Sequence, residues 1–328
     1  MGGDHAPSAI VAGALEAARD GIGIVLVGDP ARLGPLLPRR HAPLVLAASE
    51  VIEMGESPAA AVRRKPDSSV RRALRAVRDR EADGLVSCGP TGAVLVASVL
   101  ELGLFDGVDR PAVATVLPRS DGGRLILLDA GANVDCRPEQ LATFALLGAA
   151  YAEVLGVANP RVGLLANGEE EGKGNVQVRA TLPQIRALPL HFVGNIEPTA
   201  AMAGGCDVLV CDGFVGNILL KAAEGAVDTV VRLLRAEIRR SPAGLLGALL
   251  LRGAFRRFRK KVAWDAHGGA LLLGAKGVVV VGHGRANPGA VAEAIRVAAR
   301  AVSGRMVDRV SARLAVASGA LPAGASTI

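Results

Sequence analysis

Short runs that are apolar at almost every position recur along this 328-residue chain, separated by longer segments rich in Ala, Leu and Arg. The runs are Ile24–Val27, Leu44–Ala47, Gly84–Ser87, Ala112–Leu117, Arg124–Leu128, Arg161–Leu165, Leu190–Val193, Val208–Cys211 and Val278–Val281. A strand with one wet face alternates apolar and polar residues, whereas a strand covered on both faces does not. These runs therefore predict strands buried between two helical layers. Helices are predicted at Ser8–Arg19, Ser69–Arg80, Gly92–Leu102, Pro138–Leu155, Asn175–Ala187, Asn217–Arg239 and Pro288–Ser303. Pro138 and Pro288 suit a first helical turn, where no N–H is needed. The alternation predicts an α/β fold, a doubly wound and mostly parallel sheet with helices on both faces. Residues 1–310 are expected to form one domain, and 311–328 a frayed tail. A fold of this kind opens with a strand, yet this chain opens at a glycine turn. Either another element comes first, or the first few residues are missing.

Composition narrows the function classes. Half of the residues are hydrophobic, too many for a disordered chain, and no apolar run reaches the roughly 18 residues of a membrane span. Aromatic residues make up 2%, which leaves few platforms for stacking bases, so no nucleic-acid partner is expected. The net charge is +7, and six cations without an acid lie between Arg252 and Lys261. The basic character is thus local. Cys88, Cys136, Cys206 and Cys211 form no CxxC pair and are read as free thiols. The start carries neither a basic nor an apolar leader, so a cytoplasmic protein is expected. No clustered His or carboxylate spacing suggests a metal.

Glycine-rich polar segments fall where strands should hand over to helices: Met1–Pro7, Ser87–Gly92, Asp129–Asp135, Asn167–Asn175, Val193–Glu197, Cys211–Asn217 and Gly282–Gly284. Ligands of open α/β sheets bind at carboxyl ends of strands, where glycine admits close approach and helix starts offer N–H groups to anions. Any one such loop is most simply a tight turn. Together they favour a phosphate or carboxylate site. The run Gly168–Gly174 is not a P-loop, having three residues between its glycines and Gly after Lys173, and no dinucleotide fingerprint is present.

In order along the chain, MGGDHAP, Met54–Ser69, SCGPTGA, Arg110–Ala114, Leu128–Leu141, EEEGKGN, FVGNIE, Asp207–Gly225 and Gly268–Gly274 resemble the bacterial PlsX-type phosphate acyltransferases. The resemblance runs from Met1 to about Val302. It departs at Glu50, at Pro90 and at Asn167, which stands one place later than usual, and the family's first apolar strand before MGGD is absent. The resemblance implies an isocitrate/isopropylmalate dehydrogenase-like fold and a reaction in which inorganic phosphate attacks the thioester of acyl-acyl-carrier protein. The product would be acyl phosphate for phospholipid synthesis. It implies a homodimer and no cofactor.

That chemistry needs a cation at the phosphate, donors at the oxyanion and an acid for the leaving thiolate. Lys173 is expected to supply charge, Asn133 to orient substrate and His283 to act as the acid. Gly2, Gly3, Asp4, Thr91, Gly92, Gly131, Gly174, Asn175, Asp212, Gly213, Asn217 and Lys221 are expected to line the substrate. Plainer roles compete for several of these: an Asx-turn for Asn133, a helix cap for Thr91, and a pair with Glu224 for Lys221. All of these loops are expected at one rim of the sheet.

Between Ala243 and Lys261, Leu residues precede the cation cluster at near-helical spacing. A protruding amphipathic segment over 240–262 is predicted. Leu245, Leu249, Leu250, Phe255, Arg256, Arg257, Lys260 and Lys261 would meet an anionic membrane or the acidic carrier protein. The family's product is expected to pass to a membrane glycerol-3-phosphate acyltransferase, which places the protein at the inner face of the cell membrane. Competing readings are a phosphotransacetylase acting on small acyl-coenzyme A, a dehydrogenase, and a membrane-surface scaffold without catalysis.

Overall fold

The computed structural model describes residues 1–262 and 269–319. Its strands are β1 (Val25–Gly28), β2 (Leu44–Ala47), β3 (Gly84–Ser87), β4 (Ala112–Pro118), β5 (Arg124–Leu128), β6 (Arg161–Leu165), β7 (His191–Ile196), β8 (Val208–Val210), β9 (Ala270–Leu273) and β10 (Val278–Val281). The helices are α1 (Ser8–Ala18), α2 (Pro30–Leu33), α3 (Pro58–Arg64), α4 (Ser69–Arg78), α5 (Thr91–Leu102), α6 (Pro138–Val154), α7 (Val176–Arg186), α8 (Pro198–Ala203), α9 (Gly213–Arg239), α10 (Pro242–Leu250), α11 (Arg252–Val262), α12 (Pro288–Ser303) and α13 (Met306–Ala317).

Eight strands form one sheet in the order β3-β10-β9-β4-β5-β8-β6-β7, while β1 and β2 pair in a separate parallel ribbon. Alternate residues of each strand enter opposite cores. Ile126, Leu128, Val208, Val210, Val278 and Val280 pack under α6, α7, α12 and α13. Leu125, Leu127, Leu209, Val279 and Val281 pack under α3, α4, α5 and α8. This two-sided burial is why the interior positions of these runs are almost all apolar. Each fully buried Val or Leu contributes about 1.5–3 kcal/mol.

The sheet is mostly parallel, but not throughout. β3 and β10 are parallel to each other, as are β5, β8, β6 and β7. Between the two blocks, β9 and β4 pair antiparallel with their neighbours. Following the pairings across, β3, β10 and β4 run one way and β5 to β9 the other. The carboxyl ends of β3 and β10 therefore lie at one rim, and those of β5, β6, β7 and β8 at the opposite rim.

Two expectations about the chain's later part change. The segment Ala270–Leu273, within the Gly268–Gly274 stretch of the resemblance and not among the predicted strands, is strand β9. The frayed tail from 311 is instead helical to Ala317, with Val310 buried and Arg313 paired to Glu153 on α6. The end of that tail, 320–328, lies outside the described residues, as does Gly268 of the GGALLLG motif. In α9, only Gly213 and Gly216 of the first turn are buried. Leu233, Leu249, Leu250 and Phe258 along α9–α11 are exposed.

Candidate functional site

At the first rim, the carboxyl ends of β3 and β10 bring four separate segments together. The Gly282 N–H donates to the Ser87 carbonyl (2.8 Å), and the Asp4 N–H donates to the Gly284 carbonyl (2.8 Å). Gly2 packs backbone to backbone on Gly89, and Gly3, at φ +108°, turns between Cys88 and Gly284. A residue with a Cβ is strained there. Met54 reaches Gly284, and Pro58 at the start of α3 touches Gly92 at the start of α5. Pro90 occupies the N-cap of α5 and provides no side-chain cap. The N–H groups of Ala93 and Val94 donate to the Pro90 carbonyl (2.9 and 3.1 Å), whereas those of Thr91 and Gly92 precede the first bond of the helix and have no partner within it. His283 is exposed, and its Nδ1 accepts from the Arg285 N–H at 3.2 Å, which leaves the ring hydrogen on Nε2. Arg285 also stands 3.7 Å from the Asp4 carboxylate. Gly2, Gly3, Asp4, Thr91, Gly92 and His283 thus share one rim.

The second rim is organised around Asp129, which is fully buried at the end of β5. Its carboxylate accepts from the N–H groups of Val113, Gly131, Ala132 and Asn133, and from Asn133 Nδ2 (2.8–3.1 Å). Burial pushes this carboxyl above the usual aspartate range, against the pull of the donors. Asn133 Nδ2 also donates to the Pro111 carbonyl (2.9 Å), and the Asn133 carbonyl accepts from the Gly213 N–H (2.7 Å). Asp212 caps α9 through Val215 N–H (2.8 Å). Gly216 packs on the Asp129 carbonyl so closely that any Cβ would collide with it. Gly131 and Asn217 lie side by side above this knot.

On the same rim, the loop after β6 is braced internally. Asn167 Oδ1 accepts from the Gly174 N–H (2.9 Å), and Asn175 caps α7 through Val178 N–H (2.9 Å). Asn195 Nδ2 donates to the Glu170 carbonyl (3.0 Å). Lys173 is exposed, folds over Gly168, and has no ion pair among the described residues, since Glu171 pairs with Arg186. Lys221 pairs with Glu224 at 2.7 Å.

Several sequence-based expectations need correction. The candidate loops do not share one rim, because the strands they follow run in opposite directions. Asn133 spends both amide hydrogens on Asp129 and Pro111, so its amide donates to the fold. The N–H groups of Gly174 and Gly213 are likewise taken by Asn167 and Asn133. Lys221 is paired, as its competing reading had it. Asp129, Met54, Pro58 and Arg285 were missed. The signal for Asp129 was an acidic residue directly after an all-apolar strand, followed by Gly131 and Asn133.

Burial pushes the thiols of Cys88 to about 11 and of Cys136 and Cys206 to about 12, and holds Cys211 well above the usual thiol value, so none supplies a thiolate near neutrality. Among the described residues, no group of three His, Cys, Asp or Glu could hold a metal, and no helix is long and apolar enough to cross a membrane.

The family model described as fatty acid synthesis protein matches residues 1–309. A phosphate acyltransferase of Desulfitobacterium hafniense (strain DSM 10664 / DCB-2) is 46% identical over 320 residues, covering 96% of each chain. Among solved structures, a phosphotransacetylase from Streptococcus pyogenes superposes with a TM-score of 0.63 at 17% identity, covering 91% of this chain and 92% of its own. A 4-hydroxythreonine-4-phosphate dehydrogenase from Klebsiella pneumoniae gives 0.53 at 15% identity, covering 90% and 95%. At such identities the two structures speak for the fold alone.

Proposed function

The chain belongs to the fatty acid synthesis protein family and is an acyltransferase, and on that premise we propose that it moves a fatty acyl group from acyl-acyl-carrier protein to inorganic phosphate. The acyl phosphate formed feeds phospholipid synthesis. The observation that carries this reading is 46% identity to a phosphate acyltransferase across nearly all of both chains. The test is direct: the protein is incubated with palmitoyl-carrier protein and phosphate, and acyl phosphate and free carrier thiol are followed by mass spectrometry. Turnover of short acyl-coenzyme A alone, or no product at all, would sink the proposal.

The reaction moves one proton and exchanges one bond. An oxygen of hydrogen phosphate attacks the thioester carbon, the carbonyl oxygen becomes an oxyanion, and the C–S bond breaks as the C–O bond is kept. The proton on phosphate ends on the carrier sulfur. The first rim fits these needs. The α5 start presents uncapped Thr91 and Gly92 N–H groups, which favour an anion through hydrogen bonds and the helix dipole. The Gly2–Gly3–Asp4 turn closes one side and lets the ligand approach the backbone. His283 Nε2–H faces the role of proton donor to the departing sulfur. Such positioned acids contribute about 10²–10⁴-fold in rate.

Lys173 and Asn175 belong in this reading through a second copy of the chain. Within one chain they stand at the opposite rim, beside Gly131, Asp212 and Asn217. A two-fold homodimer that sets the second rim of one protomer against the first rim of its partner brings the unpaired Lys173 ammonium to the phosphate. Residues 1–310 then work as one catalytic unit, completed by its mate.

The α9–α11 segment is the proposed membrane contact. What supports this is that Leu249, Leu250, Leu251 and Arg256 are all exposed, on a chain whose proposed product is too apolar to diffuse far in water. The side chains of Leu245, Arg257, Lys260 and Lys261 lie outside the described residues. Phe255 is half-buried. Anionic headgroups would attract the basic end at about 1 kcal/mol per cation. In this reading the protein works at the cytoplasmic face of the membrane, where acyl phosphate can pass to a membrane glycerol-3-phosphate acyltransferase.

A further inference from the structure

The chain carries a second concentration of positive charge, away from Arg252–Lys261. Eight cations and two acids lie between Ser57 and Arg80, and α4 itself contains no acid. Much of this charge converges on Glu101, near the end of α5. Its carboxylate accepts from Arg71 (2.7 Å), Arg75 (3.2 Å) and Arg78 (3.2 Å) of α4, and Arg78 also pairs with Asp79 (2.8 Å). Three guanidiniums thus face two carboxylates. Arg71 donates on its other side to the Val62 carbonyl of α3 (3.0 Å). One guanidinium therefore ties the ends of α3 and α5 together and sets Arg63 and Arg64 beside the cluster. Arg63 is exposed and has no ion pair among the described residues. The Arg64 side chain is 70% exposed and reaches Glu56 only at 4.0 Å, a carboxylate that Lys65 already holds at 2.6 Å. Immediately before Glu101, Val99 and Leu100 are exposed. The result is a small apolar step beside an excess of arginine.

We propose that this outer face of α3, α4 and the end of α5 is where the acidic acyl-carrier protein docks, with its carboxylates on the arginines and an apolar side chain over Val99 and Leu100. The docking face rests on the acyl-carrier reading above and adds where the carrier sits. Three features carry the assignment. First, the charges are complementary. Cations without partners attract an acidic protein over several ångströms and orient it before contact. Second, the make-up is that of a transient protein interface, a small apolar centre with an arginine-rich border. An anionic lipid surface would find only two apolar side chains to bury here, against the run of exposed leucines on α10. Third, the position suits delivery. Pro58 touches Gly92, so α3 and α5 both start at the rim that carries Thr91 and His283. Val99 lies about 12 Å along α5 from Thr91, at 1.5 Å per residue. A carrier seated on the patch stands beside that rim, and its flexible prosthetic arm leads the thioester along α5 to the helix start.

The test reads binding and turnover separately. Binding of fluorescently labelled carrier protein is followed by anisotropy, and acyl-phosphate formation from palmitoyl-carrier protein gives KM and kcat. The unaltered protein is compared with Arg63→Glu, Arg64→Glu and with Arg39→Glu, Arg40→Glu, which changes the net charge equally on another exposed segment. The α3 pair should raise Kd and KM about tenfold at low salt, move kcat far less, leave Tm unchanged, and lose most of its effect above about 0.3 M salt. The milder Arg63→Gln, Arg64→Gln should raise Kd about threefold, and Leu100→Ser should raise it severalfold at any salt. The Arg39, Arg40 pair should change Kd less than about twofold. Equal Kd for the α3 pair and the unaltered protein overturns the docking face, even where acyl phosphate is formed. An equal rise from the Arg39, Arg40 pair overturns it as well, by reducing the effect to net charge. So does a rise from reversing Arg252 and Arg256 alone, or a loss of flotation with anionic vesicles by the α3 pair at unchanged carrier affinity. Carrier binding without any acyl phosphate from the unaltered protein removes the proposed reaction, and the anisotropy comparison still decides the docking face.

Discussion

Asp129 and Glu101 show how differently two buried carboxylates behave. Asp129 accepts five N–H donors, four of them backbone, and holds the β5 exit to the β4 entry. Asp129→Asn turns one acceptor oxygen into an amide that points hydrogens at hydrogens. It should cost about 2–3 kcal/mol in urea unfolding, and the loss should be shared by turnover because Gly131 and Asn133 are hung from it. Glu101 on α5 instead meets Arg71 (2.7 Å) and Arg75 (3.2 Å) on α4, and these guanidinium bonds outweigh burial and hold its carboxyl below the usual range. Asp207 is lowered likewise, its burial outweighed by bonds from Arg161 and Arg119. A depressed folded value contributes stability that is complete above the unfolded value. These pairs should therefore stabilise fully above about pH 5 and lose their contribution as pH falls through 4 and below. Glu101→Gln should lower stability by about 3 kcal/mol at pH 7 and flatten the acid limb of a Tm-against-pH curve. An unchanged acid limb would remove Glu101 from that account. His283→Asn should lower kcat by about 10²-fold or more with little change in Tm, because its only described partner is the neighbouring Arg285 N–H.

Most elements were legible as elements. β3, β5, β6, β10 and α12 lie where their residues predicted, because an apolar run within a covered sheet and a proline-started helix with a good cap leave few alternatives; β2 also lies where predicted, but in the separate ribbon and with no residue buried. β9 was missed because a four-residue Leu-rich run between glycines is too short to tell strand from turn. The second half of α13 was read as a frayed tail, yet it continues a helix that Met306 and Val310 anchor in the α6 layer, and Arg313 within it pairs with Glu153. The long α9 was expected to start at Asn217 and starts a turn earlier, where Asp212 caps it. Leu219 and Leu220 still pack on the core below α5, but farther along Val230, Leu233 and Leu234 are exposed. If α9–α11 meets a membrane, vesicles rich in anionic lipid should float the intact protein, and Leu249→Glu with Phe255→Glu should abolish flotation at low salt while leaving acyl-phosphate formation from soluble carrier protein largely intact. Undiminished flotation by the double variant would end that idea.

At the scale of the molecule, strand direction decides what can meet. Lys173→Met should nearly abolish turnover without loss of fold, since Lys173 makes no ion pair among the described residues. Were the two rims of different protomers to form one site, mixing Lys173→Met with His283→Asn protomers should restore about a quarter of normal activity per total sites, as subunits exchange at random; no recovery after proven exchange would place both residues in one chain's site. The residues alone pointed to the layered α/β class and to glycine-rich loops suited to an anion, because burial pattern, glycine and charge act locally and survive any arrangement of the strands; the acyl-transfer chemistry came from the resemblance of whole motifs to a family. They did not determine which rim each loop occupies. That depends on two antiparallel strands, β9 and β4, in the middle of the sheet, whose pairing is set by contacts far apart in the chain.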